Sequence, residues 1–316
     1  YQVLKLCLER SDKIEHPFER TLAFKGQLER VFDTAQTGFS YWYETTRRYL
    51  TINITPLNVS AKFALMMKES GAGFVFTSAT LSVDNKLDHF NASLGITPAQ
   101  SMMVDSPFDY PNQALLCLPR YLPESHAENM PHAIIKLTLE LIKSAKGRCF
   151  VLFTSYRMMH LVAEGLTTQM DYPVYMQGQM SKRIILEKFT RHGNAVLLGT
   201  ASFWEGVDVR GSTLSCVIID KLPFAAPDDP LLQARMQDCQ MQGKDPFAHI
   251  QLPQAVIALK QGVGRLIRDN KDKGVLVICD NRLVTRQYGQ VFLKSLPPMR
   301  RTRSLEDANT FLKHIN

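Results

Sequence analysis

Residues 261–268 combine side-chain types and a spacing that suit chemistry on phosphates. Gln261 is followed four residues later by Arg265 and three residues after that by Arg268. On a helix, this spacing predicts that the three side chains share one face. Two guanidinium groups and an amide in one row suit a ligand with planar, negatively charged oxygens. A solvated surface helix is the plainer alternative.

Two glycines in the same stretch favour a site over a solvated surface. Gly262 and Gly264 each cost a helix roughly 1 kcal/mol relative to alanine. A helix that accepts this cost is expected to let another backbone or a ligand come close. The apolar run at residues 255–259 predicts that the helix begins buried, so its end is predicted to form the wall of a site.

A second polar cluster, residues 199–208, follows an apolar run directly. Its small residues, its hydroxyls and the acids Glu205 and Asp208 can bind phosphates, ribose hydroxyls or water. The two acids fit a general acid and base, a polar loop without chemistry, or a role in orienting the arginines of the neighbouring helix. Residue types alone leave these alternatives open.

Strands and helices that alternate along the chain must position both clusters. Predicted strands lie at residues 114–118, 149–153, 174–176, 195–200, 215–220 and 274–280. Predicted helices lie at residues 130–144, 158–169, 182–191 and 285–294, and one starts near Pro253. Apolar strands that alternate with amphipathic helices predict an α/β fold with a parallel sheet covered on both faces.

The segment before residue 114 predicts a different order of helices and strands. Residues 1 to about 50 have apolar positions at helical spacing and predict two or three helices, and residues 49–54 predict a strand. Residues 60–69 predict a helix, and residues 73–77 predict a buried strand that ends at Ser78 and Thr80. Small hydroxyl residues at the carboxyl end of a strand lie where ligands usually bind in α/β sheets. Residues 105–111, with two prolines, predict a crossing between domains.

Composition limits the classes of function. The chain has 316 residues, 45% of them hydrophobic and 21% charged, which is enough for one large core or two ordinary cores. A net charge of +7 permits a polyanionic partner. Six scattered cysteines without a C-x-x-C predict buried free thiols in a reducing cytoplasm, without a disulfide framework or a zinc site. No apolar stretch spans a bilayer and no signal peptide is seen, and Tyr1 at the start indicates a fragment or a processed chain.

Six motifs occur together in one order from about Thr51 onward: S-A-T-L, S-P-F-D-Y, F-T-S-Y, S-F-W-E-G-V-D, L-P-F-A-A-P-D-D-P and Q-G-V-G-R-L-I-R. This set resembles the XPD/DinG branch of superfamily-two helicases, and residues 203–208 and 220–235 are most similar to a bacterial branch of it. The resemblance implies an ATP-driven 5′-to-3′ DNA helicase that acts in DNA repair or replication. It also implies RecA-like domains: the end of a helical arch-like insertion at 1–48, the end of motor domain 1 at 49–110, and motor domain 2 at 111–316.

The resemblance also implies roles for particular residues. Arg268 would be the arginine finger on the γ-phosphate, with Arg265 and Gln261 beside it. Glu205, Gly206 and Asp208 would lie at the nucleotide, where the acids would orient the arginines and relay nucleotide state. The implied contacts to the DNA backbone are Thr154, Ser155, Thr200 and Ser202. Trp204 would stack on a base or belong to the core, and Ser78 and Thr80 would couple nucleotide to DNA.

Three features of the family are missing from the sequence: the G-x-x-x-x-G-K-[S/T] phosphate loop, the D-E-A-H box and the four-cysteine cluster site. ATP, Mg²⁺ and a 4Fe–4S cluster are therefore expected to bind mainly through an amino-terminal half outside this sequence, which would be a partner of this chain. The chain alone is expected to be inactive. Other expected partners are single-stranded DNA and the chi subunit of DNA polymerase III. A non-catalytic module that binds nucleic acid or protein is the alternative. An RNA helicase is disfavoured by S-P-F-D-Y and L-P-F.

Overall fold

The computed structural model describes residues 1–7, 12–34, 37–96, 99–204 and 213–316. The helices are α1 (Gln2–Cys7), α2 (Glu15–Phe32), α3 (Ser60–Ser70), α4 (Asp88–Leu94), α5 (Tyr110–Gln113), α6 (Met130–Ser144), α7 (Tyr156–Thr167), α8 (Lys182–His192), α9 (Ala201–Trp204), α10 (Pro230–Met241), α11 (Leu252–Val263), α12 (Arg282–Thr285), α13 (Gly289–Ser295) and α14 (Leu305–Ile315). The strands are β1 (Phe39–Thr45), β2 (Leu50–Pro56), β3 (Ala114–Cys117), β4 (Cys149–Leu152), β5 (Val174–Met176), β6 (Val196–Gly199), β7 (Cys216–Ile219), β8 (Gly274–Ile278) and β9 (Arg300–Thr302).

The chain divides into two compact units. Unit 1 contains residues 1–72, 93–95 and 226–250, and unit 2 contains residues 73–92, 96–225 and 251–316. The three-part domain organisation expected from the resemblance stays a prediction.

Unit 1 is built around an antiparallel hairpin of β1 and β2, in which Tyr43 pairs with Ile52. Helix α10 packs on the hairpin, and Arg235 of α10 donates its Nε hydrogen to the carbonyl of Leu57 at 3.1 Å. The sequence predicted helices up to about residue 50. That prediction is wrong for β1, where aromatic and β-branched residues pair in register with the strand that was predicted at 49–54.

Unit 2 is a parallel α/β domain. In the described part of the chain, seven strands form one sheet in the order β5-β6-β4-β7-β8-β3-β9. Every pair in this sheet is parallel. The fold class predicted from the sequence is confirmed, and predicted strands such as 174–176 and helices such as 130–144 lie where expected.

The sheet is buried on both faces because its strands are apolar throughout. Leu116, Phe150 and Leu197 contribute to one core cluster, which includes residues of α8, α9, α11 and α13. Leu115 and Val151 contribute to the other, which includes residues of α6, α7 and α14. This is the arrangement that a run of apolar strands requires, since neither face can be left to water.

The carboxyl-terminal tail completes the sheet. Arg300–Thr302 form β9, which pairs with β3 as an edge strand, and α14 covers the sheet through buried Leu305 and Leu312. Residues 300–302 are polar and have no apolar pattern that could have predicted a strand. They form one only because β3 lies beside them and pairs with them.

One predicted strand is not formed. Residues 73–77 have no strand pairing, and the side chain of Val75 is 88% exposed. The prediction of a buried strand there was wrong for this chain. A strand needs a neighbour to accept its backbone hydrogen bonds, and none of the described strands pairs with this segment.

The cysteines agree with the expectation of free thiols. All six are free, and Cys117, Cys149, Cys216, Cys239 and Cys279 are buried. Burial and the neighbouring thiol of Cys216 raise the pKa of Cys117 to about 12. Within the described ranges, no helix has the length and apolar character needed to cross a bilayer.

Candidate functional site

A cleft of about 1860 Å³ opens in unit 2 at the amino-terminal ends of the sheet strands. Arg148, Ser215 and Lys273, each of which immediately precedes a strand, line it. The described lining has seven Lys or Arg side chains and three Asp side chains. Such an excess of positive charge in a concave surface favours a polyanionic ligand.

Gln261, Arg265 and Arg268 all line this cleft. The sequence predicted that one helix carries them, but α11 ends at Val263 and Gly264 occupies its C-cap position. Arg265 and Arg268 therefore lie in the turn that follows the helix. The prediction of a shared helical face was wrong, and the turn brings the three residues together instead.

At Gly262 the sequence predicted the close approach of another backbone or a ligand, and the structure has a side chain there instead. A Cβ atom at this position would lie 2.9 and 3.1 Å from two ring carbons of Trp204. The group that approaches is thus an aromatic side chain. Trp204 is only 4% exposed and belongs to the core cluster of its face. Of the two roles left open for Trp204, the structure supports the core and not a base-stacking surface.

Arg265 connects the two polar clusters. Its guanidinium Nε donates to the backbone carbonyl of Trp204 at 3.0 Å, and a second guanidinium nitrogen donates to the same oxygen. Trp204 is the residue just before Glu205. Glu205, Gly206 and Asp208 themselves lie outside the described residues, so their predicted roles stay predictions.

The backbone of Arg268 is held by a neighbouring carboxylate. Asp272 Oδ2 accepts the N–H groups of Arg268 and Asp269, both at 2.9 Å. The Arg268 side chain is half-buried and lines the cleft. A guanidinium on a fixed backbone at the rim of a basic cleft can act on a phosphate without a large reorganisation.

The segment after the unformed strand reaches the same cleft. Thr80 lines it, and the Thr80 N–H donates to Ser78 Oγ at 3.2 Å. Two residues further on, Ser82 accepts two hydrogen bonds from Lys260 Nζ, at 2.9 Å to its carbonyl and 3.1 Å to its hydroxyl. Burial lowers the pKa of Lys260. Sequence reasoning missed Lys260 and Ser82, since neither stands out by type.

A second polar group of residues lies at the opposite, carboxyl-terminal edge of the sheet. Thr154, Thr200 and Asp220 follow β4, β6 and β7, which are neighbours in the sheet. The sequence predicted that the hydroxyls contact a nucleic-acid backbone. The parallel sheet brings them to one edge, as the carboxyl ends of parallel strands require.

The two threonine hydroxyls at this edge already have internal acceptors. Thr154 donates its hydroxyl hydrogen to Asp220 Oδ2 at 3.2 Å, and its N–H to Asp220 Oδ1 at 3.0 Å. Thr200 donates its N–H and its hydroxyl to Gln177 Oε1, at 2.7 and 3.1 Å. Each hydroxyl oxygen can then only accept, so neither can donate to a phosphate without giving up its internal bond.

Ser155 and Ser202 differ from the threonines. Ser155 is the N-cap of α7, and its Oγ accepts the Met158 N–H at 3.3 Å, which leaves the hydroxyl hydrogen available to a ligand. The backbone carbonyl of Ser202 accepts a hydrogen bond from Lys182. Both residues follow the carboxyl ends of their strands, β4 and β6, and their predicted contact with the DNA backbone stays a prediction.

The sequence did not single out the buried carboxylate of Asp220 at this edge. Asp220 is 1% exposed, and burial raises the pKa of its carboxyl to about 7, against the opposing effects of Lys221 and of the hydrogen bonds from Lys221 and Thr154. The described part of the chain has no cluster of three or more His, Cys, Asp or Glu side chains that could hold a metal ion.

Known proteins with similar sequences include helicases. Residues 138–299 match the family of helicase C-terminal domains. The ATP-dependent DNA helicase YoaA of Escherichia coli (strain K12) is 53% identical over 312 residues, which are 99% of this chain and 49% of YoaA. The ATP-dependent helicase DinG of Mycobacterium tuberculosis (strain H37Rv) is 35% identical over 86% of this chain and 41% of DinG.

A solved structure of an XPD helicase shares the fold. It aligns with 83% of this chain and 48% of its own chain, with a TM-score of 0.62 and 19% identity. The chain belongs to the helicase C-terminal domain family and carries that domain as the XPD/DinG group has it. It spans about half the length of the relatives it matches.

Proposed function

We propose that this chain supplies the second motor domain of an ATP-dependent 5′-to-3′ DNA helicase of DNA repair or replication. In this proposal the basic cleft of unit 2 faces the phosphates of ATP, and the carboxyl-terminal edge of the sheet contacts single-stranded DNA. The observation that supports it most directly is the meeting of Gln261, Arg265, Arg268 and Thr80 in one basic cleft.

Arg268 is the proposed arginine finger. Charge spreads over the phosphoryl oxygens as the γ-phosphate leaves, and a guanidinium already in place stabilises that charge. Such an arginine is worth about 10³- to 10⁵-fold in kcat in related phosphoryl-transfer systems. The carboxylate of Asp272, which fixes the Arg268 backbone, gives the side chain the rigid origin that this role requires.

Arg265 and Lys260 are proposed to transmit nucleotide state. Arg265 donates to the carbonyl of Trp204, which precedes Glu205 in the sequence, and Lys260 donates to Ser82 in the segment of Ser78 and Thr80. A change of charge in the cleft would thus act on two segments of unit 2 that are distant in sequence. Gln261 lies between them on the cleft wall.

At the other edge, Ser155 is the proposed donor to the DNA backbone. Thr154 and Thr200 would shape this edge, with their hydroxyl hydrogens donated internally, and Ser202 would contribute on the same side. The N-terminus of α7 adds a favourable field for a phosphate.

ATP and Mg²⁺ are the cofactors implied by the relatives' names and by the chemistry of phosphoryl transfer. We propose that their remaining ligands, and a 4Fe–4S cluster, come from the part of the protein that this chain does not cover. A contact with the chi subunit of DNA polymerase III stays a prediction of the resemblance alone.

The alternative is a module that binds nucleic acid or protein without chemistry. It requires binding that ignores nucleotide, whereas the helicase proposal requires that Arg268 matter for hydrolysis. A basic cleft fits either proposal, so the distinction depends on kinetics.

The decisive experiment compares full-length protein with its Arg268→Ala variant in ATP hydrolysis stimulated by single-stranded DNA. We expect kcat to fall by about 10³-fold or more while DNA binding persists. Arg183→Ala is the matched control, because Arg183 is exposed on α8 and pairs only with Glu187 at 3.2 Å in the described structure. Equal hydrolysis by Arg268→Ala and wild type would leave the binding module as the better account.

A further inference from the structure

The turn that carries Arg268 is held by a glutamine from a distant part of the sequence. Gln113 is 5% exposed, and its side-chain nitrogen Nε2 lies 3.1, 3.1 and 2.9 Å from the carbonyl oxygens of Asp269, Asn270 and Asp272. Three acceptors converge on one amide nitrogen that has two hydrogens, so one hydrogen is shared. We call residues 269–272 the finger loop.

The position of Gln113 follows from the register of the sheet. Gln113 is the last residue of α5 and directly precedes β3, whose first residue Ala114 pairs with Gly274 of β8. The finger loop ends at Asp272, and only Lys273 separates it from the first residue of β8. Two neighbouring parallel strands therefore bring the residue before one of them beside the loop before the other.

The hydrogen bonds of Gln113 act together with those of Asp272. The carboxylate of Asp272 accepts the N–H groups of Arg268 and Asp269, and the carbonyl of the same residue accepts from Gln113. Asp272 is buried, so these bonds are shielded from water. Gln113 thus fixes the loop, and the loop fixes the backbone from which the Arg268 side chain extends.

We propose that Gln113 is a positioning residue for Arg268, which it orients by gathering the three carbonyls of the finger loop. This inference rests on the proposed function of Arg268. It adds that the short segment ahead of β3, which contains α5, sets the geometry of the finger. A displacement of about 1 Å in a catalytic group can cost about 10²-fold in rate.

The test uses full-length protein with Gln113→Met and Gln113→Glu. Methionine keeps the length of the side chain and removes the donor. Glutamate keeps the shape and places oxygens against three carbonyl oxygens. Gln169→Met is the matched control, because Gln169 is an exposed glutamine whose Nε2 donates to one carbonyl, that of Gly165, at 3.0 Å.

We expect Gln113→Met to lower kcat of DNA-stimulated ATP hydrolysis by about 10- to 100-fold with KM for ATP nearly unchanged. Gln113→Glu should lower it further, and Gln169→Met should match wild type. Hydrogen exchange of the peptide that covers residues 265–273 should become faster in both Gln113 variants.

A double-mutant cycle separates positioning from general damage. If Gln113 acts through Arg268, then adding Gln113→Met to Arg268→Ala should change kcat by less than about 2-fold. The inference would be overturned if Gln113→Met lowered kcat in the Arg268→Ala variant as much as it does in wild type. It would also be overturned if both Gln113 single variants kept the wild-type kcat while Arg268→Ala is inactive. If Arg268→Ala itself retains full activity, the proposed function fails first, and exchange of the finger loop then reports only on structure.

Discussion

Replacing Asp220 with asparagine should stabilise unit 2 at alkaline pH and have little effect at acid pH. The carboxyl lies at the end of β7, 1% exposed, and its pKa is raised from 3.8 to about 7 because burial disfavours the charge. Asparagine can keep an acceptor for the N–H groups of Thr154 and Lys221 without carrying a charge. The variant therefore removes the cost of ionisation and retains most of the bonding.

The sign of the effect follows from proton uptake. The pKa in the folded state lies above the unfolded value, so the stability linked to the protonated carboxyl is complete below about pH 4 and is lost as the pH rises through about 7. A pKa difference of about 3 corresponds to about 4 kcal/mol of unfolding free energy. About 2.5 kcal/mol of this falls between about pH 5 and pH 8.

The assay is urea denaturation followed by tryptophan fluorescence. The chain has two tryptophans, and Trp204 is the one in unit 2, so a Trp42→Phe background reports on unit 2 alone. The stability gain of Asp220→Asn over its parent should grow by about 2.5 kcal/mol from about pH 5 to pH 8. Asp171→Asn, at an exposed position, is the control and should show no such trend. A gain that stays constant with pH would refute the reasoning.

Three further predictions concern packing, coupling and activity. Gly262→Ala should lower the unfolding free energy by about 1–3 kcal/mol in thermal melts, because the added Cβ would clash with the Trp204 ring. Gly26→Ala is the control and should cause no such loss, because a Cβ there would have no atom within 4 Å. Equal melting temperatures of the two variants would contradict the packing argument. Lys260→Met should speed hydrogen exchange around Ser82, because Lys260 Nζ donates two hydrogen bonds to that residue, and unchanged exchange would argue against the link. The pure chain mixed with ATP and single-stranded DNA should show no turnover in a phosphate-release assay, and measurable turnover would disprove the need for further sequence.

The parallel sheet could be predicted because its strands are short apolar runs between turn residues. Helix α6 was predicted at 130–144 and lies at Met130–Ser144, where its amphipathic pattern is clear. The edge strand β9 could not be predicted, because an Arg-Arg-Thr sequence has no apolar pattern and becomes a strand only through pairing with β3.

The same limit explains the two wrong element predictions near the site. Residues 73–77 have the composition of a buried strand, but a strand forms only where a partner strand is available. Residues 261–268 have helical spacing, yet the helix ends at Gly264, and the turn is stabilised by Asp272 and Gln113. Local pattern cannot report contacts made by residues that are distant in sequence.

The sequence by itself determined the class of fold and the membership of Arg265, Arg268 and Thr200 in polar clusters, because periodicity and motif order are local properties. The tertiary structure alone decided that Arg265 and Arg268 line a cleft at one edge of the sheet, whereas Thr154 and Thr200 lie at the other edge. It also decided that the threonine hydroxyls donate internally and that Gln113 gathers the finger loop. These are hydrogen bonds between groups brought together by strand register, and register is set by packing of the whole sheet.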